Sequence, residues 1–142
     1  MHSFHYLLLG IRTLFDKSVV SCFKSVGLTP GQPKVLEHLR RHDGDVQKAI
    51  ARACFLEPAT LSQILDGMAA KGLIERRSQS GDRRTSHIFL TDAGREKLAL
   101  LDPIFEEAEA AAFCGISEAE RAQCLATMEK IYANLSQERS VQ

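Results

Sequence analysis

No glycine-rich phosphate loop, no nucleophile elbow and no H-E-x-x-H run occurs in these 142 residues, so the usual signatures of an enzyme are missing. The four cysteines (Cys22, Cys54, Cys114 and Cys124) are scattered, without a C-x-x-C pair. That spacing excludes a zinc ribbon and a secreted disulfide framework, and reduced thiols in a cytoplasmic protein are expected. No apolar run approaches the length that spans a bilayer. The apolar run Tyr6–Ile11 has no basic stretch before it and no small-residue cleavage site after it, so no targeting segment is expected. Net charge is absent as well: 18 Lys+Arg balance 18 Asp+Glu, which argues against a chain that is basic throughout.

The charge is unevenly spread. Residues 1–91 carry 13 basic and 8 acidic side chains, and residues 92–142 carry 5 and 10. A basic front and an acidic tail suit a part that faces phosphates joined to a part kept away from them. With 44% hydrophobic and 25% charged residues, the chain reads as one ordinary globular domain with a real core.

Three- and four-residue steps of Phe4, Leu7, Leu8, Ile11, Leu14 and Phe15 predict an amphipathic helix over residues 3–20, weakened at Gly10. After a break at Lys24–Gly27, Thr29 is a suitable N-cap with Pro30 at the first helical position, and Val35, Leu36 and Leu39 form the buried stripe. Asp43-Gly44 is a turn. Asp45 is expected to cap a helix over Val46–Cys54 that buries Ile50, Ala53 and Cys54. Phe55-Leu56-Glu57 is the next turn, and Glu57-Pro58 starts another helix.

The helix Pro58–Ala70 has two different faces. Leu61, Ile64, Leu65 and Met68 share one. The other shows Ala59, Gln63, Asp66 and Ala70, flanked by Thr60, Ser62 and Gly67. Small and hydrogen-bonding side chains suit a helix that enters a major groove, although a merely solvated face shares the polar types. Gly72 ends this helix. Residues 73–78 and 85–90 read as two strands around a turn at Gln79–Asp82, with Ser86, Ile88 and Leu90 on one face. Arg83 and Arg84 at this tip could enter a minor groove, with Asp82 orienting one of them; a solvated tip with a local ion pair is the other reading.

Thr91-Asp92 caps a helix running towards Cys114, with a bend or break expected at Asp102-Pro103. Ser117-Glu118-Ala119-Glu120 is a capping box, and the helix over residues 118–136 is expected to bury Leu125, Met128, Ile131, Tyr132 and Leu135, with Cys124 beside them. The fold class is thus mainly α with a small β-hairpin: a winged helix–turn–helix over residues 29–91, with residues 1–24 and 92–142 as helices for dimerisation.

Between Gln47 and Arg77 the chain reads Q-x-x-I-A-x-x-C-x-L-E-P-A-T-L-S-Q-I-L-D-x-M-x-x-K-G-L-I-E-R-R, followed by D-R-R at Asp82–Arg84 and F-L-T-D-A-G-R at Phe89–Arg95. In these motifs, and in element order over nearly its whole length, it resembles the MarR family of bacterial transcriptional regulators. The resemblance implies a homodimer whose N- and C-terminal helices interlock, with each protomer placing a recognition helix in a major groove and a wing in a minor groove of double-stranded DNA. It also implies repression relieved by a small ligand, often aromatic. By position, Thr60, Ser62 and Gln63 match recognition-helix residues, and Arg83 and Arg84 match wing arginines. Two departures stand out: Phe55 where glycine is common, and Gly67 where arginine is frequent.

On this reading Gln63, Thr60 and Ser62 read bases, while Lys34, Arg76, Arg77 and the wing hold phosphates. No cofactor is expected. His38 and His42 lie four residues apart, but a metal site needs further ligands, for which His2, His5 and His87 are the remaining histidines. Cys22 is a candidate redox switch or an inert thiol; Cys54 and Cys124 read as core. The alternatives are a winged helix used only for protein contact and a metal- or thiol-responsive sensor of the same fold.

Overall fold

The computed structural model describes residues 1–78 and 85–139. In chain order the elements are α1 (Phe4–Ser25), α2 (Gln32–Arg41), β1 (Asp45–Val46), α3 (Gln47–Ala53), α4 (Pro58–Ala70), β2 (Ile74–Ser78), β3 (Ser86–Leu90), α5 (Asp92–Ala112) and α6 (Glu118–Arg139). The architecture is mainly helical with one small antiparallel sheet of order β1-β3-β2. Contacts divide the chain inside α5 into two compact units, residues 1–108 and residues from 109 onward.

The core of the first unit gathers the apolar stripes of α2, α3 and α4 under the sheet. Leu36, Leu39, Ile50, Leu61, Leu65 and Met68 have no exposed surface, and Ile88 joins them from β3. β2 runs antiparallel to β3, pairing Ile74 with Leu90 and Ser78 with Ser86. Alternation in β3 buries Ile88 and Leu90, whereas β2 is exposed from Glu75 to Ser78, Arg76 and Arg77 included. The expected helix–turn–helix and hairpin are therefore present, and α1 extends further than residues 3–20.

Several local expectations need correction. Thr29 does not cap α2. Gln32 N–H donates to the Thr29 carbonyl at 3.2 Å around Pro30 and Gly31, and Gly31 has φ +91°, the geometry of a type II turn. The helix starts after that turn, with Pro33 in its first positions. Asp45 does not cap α3 either: Asp45 and Val46 form β1, opposite Ile88 and His87 of β3. Two residues are too short for a periodicity to mark. In α3, Ala53 is exposed and Ala51 is the buried alanine. α5 passes through Pro103 without ending. Arg40 reaches this part of α5 from α2, donating to Asp102 Oδ1 at 2.7 Å and to the Leu98 carbonyl at 3.4 Å. Among the side chains of α6 that are described, none is buried: Leu125, Met128, Tyr132 and Leu135 are exposed, as is Cys124. Phe55 takes φ +56°, the left-handed conformation that explains why glycine is favoured in this turn and that costs a side-chain-bearing residue about 1–2 kcal/mol.

Thr91 caps α5 as expected. Its Oγ1 accepts from Gly94 N–H at 3.1 Å and donates to the Gly72 carbonyl at 2.5 Å, tying the helix start to the end of α4. Replacing Thr91 by valine keeps the shape and removes both bonds. We expect a loss of about 1–2 kcal/mol in urea unfolding, the usual size of a lost N-cap.

Candidate nucleic-acid interface

Burial decides which side of α4 is presented. Leu61, Leu65 and Met68 are sealed in the core, and Ile64 is half-buried. The 3.6-residue period then leaves Thr60, Gln63 and Asp66 exposed, with Ser62 half-buried beside them. Glu57 precedes the first turn in extended conformation and Pro58 occupies its start, so the helix begins without a side-chain cap.

Two hydrogen bonds fix this surface to its neighbours. Gln47 Nε2 on α3 donates to Ser62 Oγ at 2.7 Å. Arg76 Nη2 on β2 donates to Asp66 Oδ1 at 2.7 Å, so the recognition-helix candidate and the wing strand are bridged by an ion pair. Arg77 pairs with Glu75 at 2.8 Å and lies 4.5 Å over the Phe89 ring. The structure thus brings Thr60, Ser62, Gln63 and Arg76 together, with Arg77 next along β2. Arg83, Arg84 and Asp82 lie outside the described residues. Lys34 belongs to a different neighbourhood: it is exposed on α2 and lines a depression with Arg12, Glu37, His38, Cys54 and Phe55.

Gln47 and Asp66 are contacts of the candidate residues that the sequence alone does not pair with them. Asp66 was visible on the outer face, and Gln47 opens the motif. Nothing in one dimension pairs them with Ser62 and Arg76, because both contacts are made only when the elements pack.

A cavity of about 500 Å³ opens between α1, α2 and α5. Phe15, Val19, Phe23 and Phe105 supply apolar walls, and Arg12 and Lys34 supply cations. Arg12 already pairs with Asp16 at 2.6 Å, whereas the Lys34 ammonium has no hydrogen-bond partner among the described residues. Glu37 also lines the cavity, and its carboxyl is pushed above the usual range by burial, opposed by the Arg40 charge.

The sensor candidates are placed as follows. His38 and His42 stack with ring centroids 4.8 Å apart, and His38 Nε2 lies 2.8 Å from Asp45 Oδ2. His87 Nδ1 donates to the Gly44 carbonyl at 2.9 Å, and His2 stacks on Tyr6. Among the described residues no group of three or more His, Cys, Asp or Glu could hold a metal ion. Cys54 is buried, and burial pushes its thiol up, only partly opposed by the Lys34 charge. That disfavours the thiolate and hence reactivity. Cys22 is half-buried. No helix among the described residues is long and apolar enough to cross a membrane.

Comparison with known proteins gives a consistent result. A family model described as the MarR family matches residues 26–85. A crystal structure of a MarR-family transcriptional regulator from Silicibacter pomeroyi is 32% identical, with TM-score 0.80, covering 91% of this chain and 87% of that one. The HTH-type transcriptional repressor MdtR of Bacillus subtilis is 30% identical over 89 residues, 61% of this chain. The Staphylococcus aureus MepR–DNA complex is 26% identical, with TM-score 0.80, covering 94% of this chain and 99% of that one. The matches with curated relatives span 64% and 57% of those relatives' own lengths.

Proposed function

This chain belongs to the MarR family of transcriptional regulators, and from that premise we propose that it is a homodimeric, cytoplasmic repressor that holds a palindromic DNA operator and lets go when a small aromatic acid binds. The observation that carries the reading is the outward face of α4. It combines exposed Thr60 and Gln63, a hydrogen-bonded Ser62 and an arginine bridged to the same helix. The DNA complex of MepR and the repressor name of MdtR support the same assignment.

On this reading Gln63 reads adenine by a bidentate contact, worth about 1–3 kcal/mol of discrimination. Arg76, Arg77 and the wing residues Arg83 and Arg84 neutralise phosphates, so affinity falls with salt. Asp82 is assigned to orienting the wing arginines. Lys34 is better placed for an effector than for DNA. Its ammonium, without a hydrogen-bond partner among the described residues and beside the aromatic walls of the α1–α2–α5 cavity, suits the carboxylate of an aromatic acid. Ligand binding there shifts the population away from the DNA-competent spacing of the two recognition helices.

A gel shift against the DNA upstream of the protein's own gene, at two salt concentrations, tests the assignment. A shifted band at low salt that weakens at high salt and with salicylate is expected. No shift at low salt would favour a protein-contact role.

The Asp66–Arg76 bridge yields a second expectation. Asp66 holds a negative charge towards the phosphates and competes with them for Arg76. Asp66→Ala should raise affinity for unrelated duplexes by roughly three- to tenfold and steepen the salt slope by about one. Anisotropy titrations on scrambled DNA at four salt concentrations would measure both.

A further inference from the structure

Gln47 opens α3, and Ser62 lies in the second turn of α4, 15 residues further along the chain. Gln47 Nε2 donates to Ser62 Oγ at 2.7 Å. A serine hydroxyl has one hydrogen to give and two lone pairs to offer. Gln47 occupies an acceptor site. Among the described residues nothing accepts the hydroxyl hydrogen, including the carbonyl one helical turn back, where helical serines commonly bond. Ser62 is half-buried, next to the exposed Gln63, so that hydrogen is left for whatever covers this face.

We propose that Gln47 is a positioning residue for sequence recognition: by filling the acceptor side of Ser62 it makes the hydroxyl an outward hydrogen-bond donor, which selects a base edge carrying an acceptor. The inference rests on the DNA-binding reading above and deepens it. Purine N7, guanine O6 and thymine O4 offer such acceptors in the major groove, whereas the cytosine amino group is itself a donor and is rejected. Gln47 acts here without touching DNA. Its amide sets the polarity of a side chain that otherwise rotates freely between donating and accepting.

Substitution at position 47 reverses or releases that polarity. In Gln47→Glu the carboxylate can only accept, so it draws the Ser62 hydrogen inward and leaves a lone pair facing the groove. In Gln47→Leu the hydroxyl is released to rotate. The measurement uses the full chain and a duplex that the wild type selects from a randomised pool, followed by every single-base variant of that duplex. Anisotropy gives the affinity ratio at each position, and thermal unfolding of each variant monitors the fold.

Ser62→Ala and Gln47→Leu should each flatten preference at the same position of each half-site by about three- to tenfold, the effect of one hydrogen bond, and leave the other positions unchanged. The double variant should be no flatter than Ser62→Ala alone. Gln47→Glu should move preference at that position towards a donor edge, while its added charge lowers affinity for all duplexes alike. Uniform losses from Gln47→Leu with every base preference intact would overturn the proposal, as would effects that add to those of Ser62→Ala. A wild-type chain that selects no duplex would overturn the DNA reading and this inference with it, and so separates the two failures.

Discussion

Gly94→Ala is expected to cost the protein about 3 kcal/mol, although alanine is the better helix former by about 1 kcal/mol. Gly94 lies in the first turn of α5, where a Cβ would stand within 2.2 Å of the Leu73 carbonyl oxygen and 3.2 Å from Leu90 Cδ2. The carbonyl is backbone and cannot swing aside. It accepts from Thr91 N–H at 3.1 Å, and the same turn is held by Thr91 Oγ1 on the Gly72 carbonyl. Any relief must therefore move α5 away from the start of β2, opening the core around Leu73, Leu90 and Leu98. Urea unfolding of Gly94→Ala should show a midpoint far below wild type, and DNA binding should fall with the folded fraction. A neutral or stabilising alanine would mean that α5 does not approach the hairpin this closely.

The second large effect concerns assembly. α1 leaves Phe4, Leu7, Leu8, Leu9, Ile11 and Leu14 exposed, and α6 leaves Leu125, Met128, Tyr132 and Leu135 exposed. Apolar surface of this extent on a folded monomer marks an interaction face. In the proposed dimer these stripes meet those of a second copy. Leu7→Asp combined with Ile11→Asp places two carboxylates on one side of α1, because the residues are one helical turn apart. Neither side chain belongs to the buried core, so the helical circular-dichroism signal of the protomer should persist. Sedimentation should report one chain where the wild type gives two. Operator affinity should fall by about a hundredfold or more, since a lone protomer keeps only one half-site's base and phosphate contacts. An unchanged mass for the double variant would place the dimer contact elsewhere.

The two predictions also divide what could be read in one dimension from what could not. The period of Leu61, Leu65 and Met68 marks both the helix and the face it turns outward, so the exposure of Thr60 and Gln63 is legible in the sequence. Gly72 and the Thr91-Asp92 cap marked their boundaries for the same local reasons. β1 escaped because two residues carry no period, and its pairing with β3 is decided by Gly44 and Asp45 arriving beside Ile88. Thr29 looked like a cap because residue type alone cannot reveal that Pro30-Gly31 spends the segment on a turn. Pro103 looked like a break because propensity omits the packing of α5 on α2 through Arg40 and Asp102. The burial expected for Leu125, Met128, Tyr132 and Leu135 of α6 is not found, because three- and four-residue spacing places side chains on a helix face without showing what, if anything, covers it. Asp66 and Gln47 are the instructive cases at the site. Both are plain polar residues in sequence, and only packing gives them their partners, Arg76 and Ser62.

Hydroxyl-radical footprinting of the wild-type chain on its own upstream DNA addresses the central claim most directly. Two protected patches on one face of the duplex, centred about one helical turn (roughly 34 Å) apart and lost together in the Leu7→Asp/Ile11→Asp variant, are the predicted result. A single patch, or uniform cleavage at low salt with the protein in excess, would contradict it.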